Sequence, residues 1–202
     1  MLENTVSLRA ERRKLRPIAR FTIAAVAALL VISAAVAVGV VFWLNSAGGD
    51  SATVITSVQV TYPQGWSERP LSEDDRKAGL LLAIEKGSAT FLARTVVGRL
   101  AEGFSLDQLA ADTEVALGSQ IEGFDLISNE VTTIEGFGAI RLYYRQEAGP
   151  RDDAFQTMMV IVPTETQTFY LTLRAEKTEF TAAQRDASQV IGNFLAQVKR
   201  SQ

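Results

Sequence analysis

From Phe21 to Leu44 the chain runs for 24 positions without a charged residue, with Arg20 before the run and Asp50 the first charge after it. About 20 apolar residues in a helix cross a hydrocarbon core of about 30 Å. The run therefore predicts a transmembrane helix over 21–44, with Phe21, Leu30, Phe42, Trp43 and Leu44 among its anchoring residues. Phe42 and Trp43 close it where aromatic side chains favour the membrane interface. A cleaved secretory signal is the rival reading, because Ala35-Val36-Ala37 has the small-x-small form of a cleavage site. Against it, apolar residues continue through Val38, Val40, Val41, Phe42, Trp43 and Leu44, past the usual h-region of about 7–15 residues.

Charge sets the direction of insertion. Arg9, Arg12, Arg13, Lys14, Arg16 and Arg20 precede the run, against Glu3 and Glu11. Basic flanks stay cytoplasmic, so residues 1–20 read as a cytoplasmic tail with Arg12, Arg13, Lys14, Arg16 and Arg20 as the topology signal. The C-terminal part is then extracytoplasmic. Of 20 Lys/Arg and 23 Asp/Glu, six and two lie in the tail, leaving 14 against 21 beyond it. That acidic balance argues against nucleic acid, which is bound through clustered Lys/Arg. Beside a span, the basic cluster reads as a contact with the lipid bilayer. Ala24/Ala28 and Ala35/Gly39 have the small-xxx-small spacing of packed membrane helices, although an alanine-rich helix produces such pairs by chance.

The chain has neither histidine nor cysteine. The first absence removes the commonest general base and neutral metal ligand. The second removes thiolate nucleophiles, disulfides, thiolate metal sites and a lipoprotein anchor. Ser88, Ser105 and Ser128 have no base to activate them and sit in turn or cap contexts. Glu73-Asp74-Asp75 and Asp152-Asp153 are the densest carboxylates, but neither has the spacing or glycine of a calcium loop. Gly136-Phe137-Gly138 lacks the third glycine and following helix of a dinucleotide loop, and reads as a hairpin turn. The expectation is no enzyme, no cofactor and no metal.

Asn45 to Thr53 reads as a short flexible linker, and residues 54–202 as one domain. Alternation at Val54, Val58 and Val60 predicts a first strand, followed by the turn Pro63-Gln64-Gly65-Trp66 and a polar loop over Ser72–Lys77. Leu80–Glu85 and Ala89–Val97 form a hairpin about Lys86-Gly87-Ser88. Ser105-Leu106-Asp107-Gln108 has the form of a capping box, opening a helix to about Ile121. Leu106, Leu109, Thr113, Ala116, Leu117 and Ile121 fall on one face of it. Strands follow at Phe124–Ile134, Ala139–Gln146, Phe155–Val162 and Thr168–Arg174. A last helix over Thr178–Lys199 carries an apolar stripe of Phe180, Ala183, Ala187, Val190, Ile191, Phe194, Leu195 and Val198. The order βββ-α-ββββ-α predicts an α+β domain, a largely antiparallel sheet with packed helices.

Five pieces carry a family resemblance: Tyr62-Pro63-x-Gly65-Trp66, Ser105-Leu106-Asp107-Gln108-Leu109, Gly136-Phe137-Gly138-Ala139, Phe169-Tyr170-Leu171-Thr172-Leu173, and the closing helix with Phe180 and Phe194. Over about Val54 to Val198 the chain resembles the PsbP-like fold family of photosystem extrinsic subunits, a Ran-binding nuclear import factor and bacterial envelope proteins of the LpqN type. The resemblance implies a sheet sandwiched by helices and used for docking, generally without catalysis. Histidines implicated in the metal and chloride handling of photosynthetic members have no counterpart here, so that chemistry does not transfer. Trp66 and one of Tyr143 and Tyr144, neighbours that a strand points to opposite faces, are candidates for a docking surface. The expected function is a non-catalytic accessory subunit, anchored by one helix, that docks on an integral-membrane protein complex and stabilises or assembles it. The alternative is an envelope carrier or sensor for a lipid or small apolar ligand.

Overall fold

The last helix organises the domain. The computed structural model describes residues 55–98, 103–146 and 155–201. The tail 1–20, the span 21–44, the linker 45–53 and the pair Asp152-Asp153 lie outside the described residues. Among the described residues, no helix is long and apolar enough to cross a membrane. Along α3 (Lys177–Ser201) all eight stripe residues, from Phe180 to Val198, are buried. They lie on one face of a seven-stranded antiparallel sheet, against Phe91, Ala93, Met158, Val160, Phe169, Leu171 and Leu173.

The strands are β1 (Ser67–Glu68), β2 (Leu80–Lys86), β3 (Ala89–Val97), β4 (Phe124–Ile134), β5 (Phe137–Gln146), β6 (Phe155–Pro163) and β7 (Gln167–Glu176). Their spatial order is β1-β2-β3-β7-β6-β5-β4. α1 (Glu73–Lys77) and α2 (Leu106–Gln120) are the remaining helices. α2 covers β4 and β5 on the second face, where Leu109, Ala110, Leu117 and Ile121 meet Ile140, Leu142, Tyr144 and Ile161. Burial on both faces explains the continuous apolar run Met158–Val162 in β6, and β7 is buried along most of its length too.

The capping box at the start of α2 is present: Ser105 Oγ accepts from the Gln108 amide at 3.2 Å, and Gln108 Oε1 accepts from the Ser105 amide at 3.1 Å. Ser105 is thus a cap, and Ser88 a turn residue whose amide and hydroxyl donate to Glu179 at 2.9 and 2.7 Å. Ser128 lies within β4, paired with Tyr143, and is neither.

Three expectations change. Residues 55–62 form no strand; Ile55, Val58, Val60 and Tyr62 pack on the α3-side core without joining the sheet. Alternation reports a half-buried extended chain, whether or not a neighbouring strand takes its backbone bonds. The segment is held by side chains instead: Gln167 Oε1 accepts from the Ile55 amide at 3.0 Å, and Asn193 Nδ2 donates to the Thr61 carbonyl at 2.9 Å. The first strand of the sheet is Ser67–Glu68, and a helix separates it from the second, so the observed order is β-α-ββ-α-ββββ-α and not βββ-α-ββββ-α. Second, Ser72–Lys77 is not a loop but the capped helix α1. Ser72 Oγ accepts from the Asp75 amide, and Asp75 Oδ2 accepts from the Ser72 amide. Third, the β4–β5 turn is Glu135-Gly136, with φ of 53° and 87°. Two central residues in the left-handed region are what a type I′ hairpin requires. Phe137 and Gly138 belong to β5.

Candidate functional site

Trp66 is 6% exposed, which removes it from the docking surface expected of it. A buried indole still needs a partner for its N–H. Trp66 Nε1 donates to Asp186 Oδ2 at 2.9 Å, and Lys86 Nζ donates to the same oxygen at 2.8 Å. Trp66 therefore ties the segment before the sheet to α3. These two bonds hold the Asp186 carboxyl below its ordinary value of 3.8, the Lys86 bond first and the Trp66 bond second. A depressed carboxylate adds stability that is present above the unfolded value and lost as pH falls through the folded one. Asp186→Ala should cost about 1–2 kcal/mol at neutral pH. The gap from wild type should narrow as pH falls below 3.8, in urea melts taken across the acid range.

Tyr143 and Tyr144 do point to opposite faces of β5. Tyr144 is 4% exposed, in the α2-side core with Phe124 at 5.2 Å between ring centroids. It too is a core residue and not a docking contact. Burial pushes its hydroxyl up to about 12, opposed in part by a hydrogen bond with Thr157 and the charge of Arg174. Tyr143 is half-buried on the α3 side, edge-on to Phe180 at 6.5 Å, and its hydroxyl accepts from Gln184 Nε2 at 2.9 Å.

Glu73-Asp74-Asp75 opens a capped helix. The three acids form the first turn of α1, where they favour the helix dipole, and Asp75 turns inward to Ser72 and Arg69. Among the described residues no cluster of three or more acidic side chains could hold a metal ion.

A group that sequence reasoning passed over stands on the second face of the sheet, across β3 and β7. Arg94 is directly opposite Tyr170 in the ladder, and Thr168, one same-face step along β7, is opposite Val96. Arg94 is 7% exposed, Tyr170 6% and Thr168 0%. Arg94 Nε donates to the Ala78 carbonyl at 2.6 Å, at the C-terminal end of α1. Arg94 Nη1, the Tyr170 hydroxyl and Thr168 Oγ1 are buried without a hydrogen-bond partner. None of the ion pairs among the described residues includes Arg94. Burial draws the Arg94 guanidinium below its ordinary value and pushes the Tyr170 hydroxyl up to about 12. A buried polar group left unpaired costs about 1–3 kcal/mol, and more when charged. Arg174 lies two same-face steps beyond Tyr170, but its guanidinium is stacked 4.1 Å from the centroid of Phe155. Composition hid the group, since nothing in the spacing of Arg94, Thr168 and Tyr170 distinguishes them from ordinary strand residues.

No protein-family model matches the chain, and no curated protein matches it significantly. Solved structures do. LpqN of Mycobacterium tuberculosis, described as involved in cell envelope biogenesis, aligns at 17% identity over 66% of this chain and 79% of its own, with a TM-score of 0.49. The cyanobacterial PsbP of Synechocystis aligns at 15% identity over 72% of this chain and 96% of its own, with a TM-score of 0.47. A Pseudomonas aeruginosa protein of unknown function aligns at 15% identity over 67% and 82%, with a TM-score of 0.44. The first two are of the kinds that the sequence resemblance named, and the likeness is one of fold.

Proposed function

We propose that this chain is a non-catalytic accessory protein, anchored by the helix 21–44, whose extracytoplasmic domain docks on an integral-membrane protein complex. The supporting observation is the free edge of β4. Among the described residues no strand pairs with its outer side, and Ile127 and Val131 are 50% and 44% exposed along it. An unpaired strand edge with apolar side chains is a template for another chain. The bulge between Leu126 and Ser128 confines the regular stretch to Ser128–Ile134. A tether through the linker 45–53 would raise the local concentration of the domain, so a weak interface would be occupied.

The test uses the full chain at native abundance. Captured from native membranes in mild detergent, it should bring a stoichiometric set of integral-membrane subunits. Ile127→Lys with Val131→Lys should lower their recovery roughly tenfold, because lysines on an edge oppose strand addition. Thermal stability should hardly move, as exposed substitutions usually stay within about 0.5 kcal/mol. A chain that travels alone would overturn the reading. The alternative, an envelope ligand-binding protein, is favoured by the unpaired donors of Arg94, Tyr170 and Thr168.

A further inference from the structure

Arg94, Tyr170 and Thr168 place three unpaired donors on adjacent positions of one sheet face. Residues opposite each other in an antiparallel ladder have Cβ atoms about 4.5–5.5 Å apart, and a same-face step along a strand is about 7 Å. Side chains this close can reach one small group. The contact of Arg94 Nε with the Ala78 carbonyl holds the guanidinium while leaving Nη1 unused. The Tyr170 hydroxyl stays protonated at neutral pH and therefore available as a donor. Leu80, Val96 and Ile161 flank the group and are buried, so a charge brought here meets a low-dielectric surround.

We propose that Arg94, Tyr170 and Thr168 form a recognition site for an anionic group, a carboxylate or phosphate, carried by a small solute or by a lipid headgroup. Only an acceptor-rich anion satisfies all three donors while neutralising the guanidinium. A guanidinium presents a planar fork suited to both oxyanions, and hydroxyls add directional bonds. The site shares no residue with the free edge of β4, so it stands or falls independently of docking on a complex.

Calorimetric titration of the full chain in nonionic detergent tests it. The probes are inorganic phosphate, oleate, and detergent micelles doped with phosphatidylglycerol or with phosphatidylcholine. Saturable binding is expected for at least one anionic probe and none for phosphatidylcholine. Binding of phosphate would identify a solute as the source, and binding of phosphatidylglycerol or oleate alone an anionic lipid. Tyr170→Phe and Thr168→Val each delete one unpaired oxygen with little change of shape, and each should weaken binding roughly tenfold. Arg94→Lys should weaken it further but also alters the contact with Ala78, so the other two variants carry the test. If the three donors are only structural, Tyr170→Phe and Thr168→Val will bind as wild type does, or no anionic probe will saturate. Either result overturns the proposal.

Discussion

Phe194→Ala should destabilise the domain by about 3–5 kcal/mol, the range for deleting a fully buried aromatic ring. Phe194 is 0% exposed, in the C-terminal half of the α3 stripe. Its ring meets Phe169 of β7 edge-on, with centroids 5.3 Å apart. The change removes both the transfer term of the ring and the contacts that close the gap between helix and sheet. Neighbours fully buried on the same side, Phe91, Leu171 and Leu173, lie on a sheet whose ladder bonds prevent collapse into the vacancy. Folded domains are typically stable by only about 5–15 kcal/mol, so the loss is a large fraction of the total. Urea unfolding should show a much lower midpoint at an unchanged slope. A midpoint shift worth less than about 1 kcal/mol would mean that α3 is not packed on the sheet as described.

Gly79→Ala should cost about 3 kcal/mol or more. Gly79 has φ of +80°, and a Cβ there would stand 2.2 Å from the backbone oxygen of Thr95. The backbone cannot yield cheaply, because the Thr95 amide donates to the Gly79 carbonyl at 2.8 Å and Thr95 is part of β3. Conformational strain alone accounts for about 1–3 kcal/mol, and the clash adds to it. Gly103 is the control: its φ is +82°, with nothing within 4 Å of the corresponding Cβ. Gly103→Ala should show the strain without the clash, and the difference between the two variants measures the close approach of the α1–β2 junction to β3. Equal losses in thermal melts would remove that approach as the cause.

Helical spacing was the most legible signal in this chain. Every residue of the α3 stripe read from periodicity is buried, because a long amphipathic helix has no other way to satisfy its apolar side. α1 was illegible by the same measure: Glu73-Asp74-Asp75-Arg76-Lys77 has no apolar period. Only Ser72 and Asp75, three apart, signalled its start. Trp66 shows a different limit. A large aromatic after a turn reads equally as an anchor for a partner or as a strut, and only the position of Asp186, more than a hundred residues away in sequence, decides for the strut. Arg94 and Tyr170 were hidden for the same reason, since their adjacency depends on which strands pair.

The strand order has a bearing on how the chain assembles. β2–β3 is a hairpin and β4 to β7 a continuous meander, so each block pairs strands that are neighbours in sequence. Among the described residues the one strand ladder between the blocks joins Thr90 to Arg174 and Val97 to Gln167, and it closes a long loop that contains α2 and the rest of the meander. During synthesis β3 emerges long before β7. For that interval the nascent hairpin carries Phe91, Leu92 and Ala93 along an open edge, the kind of surface that attracts chaperones or sticks to another chain.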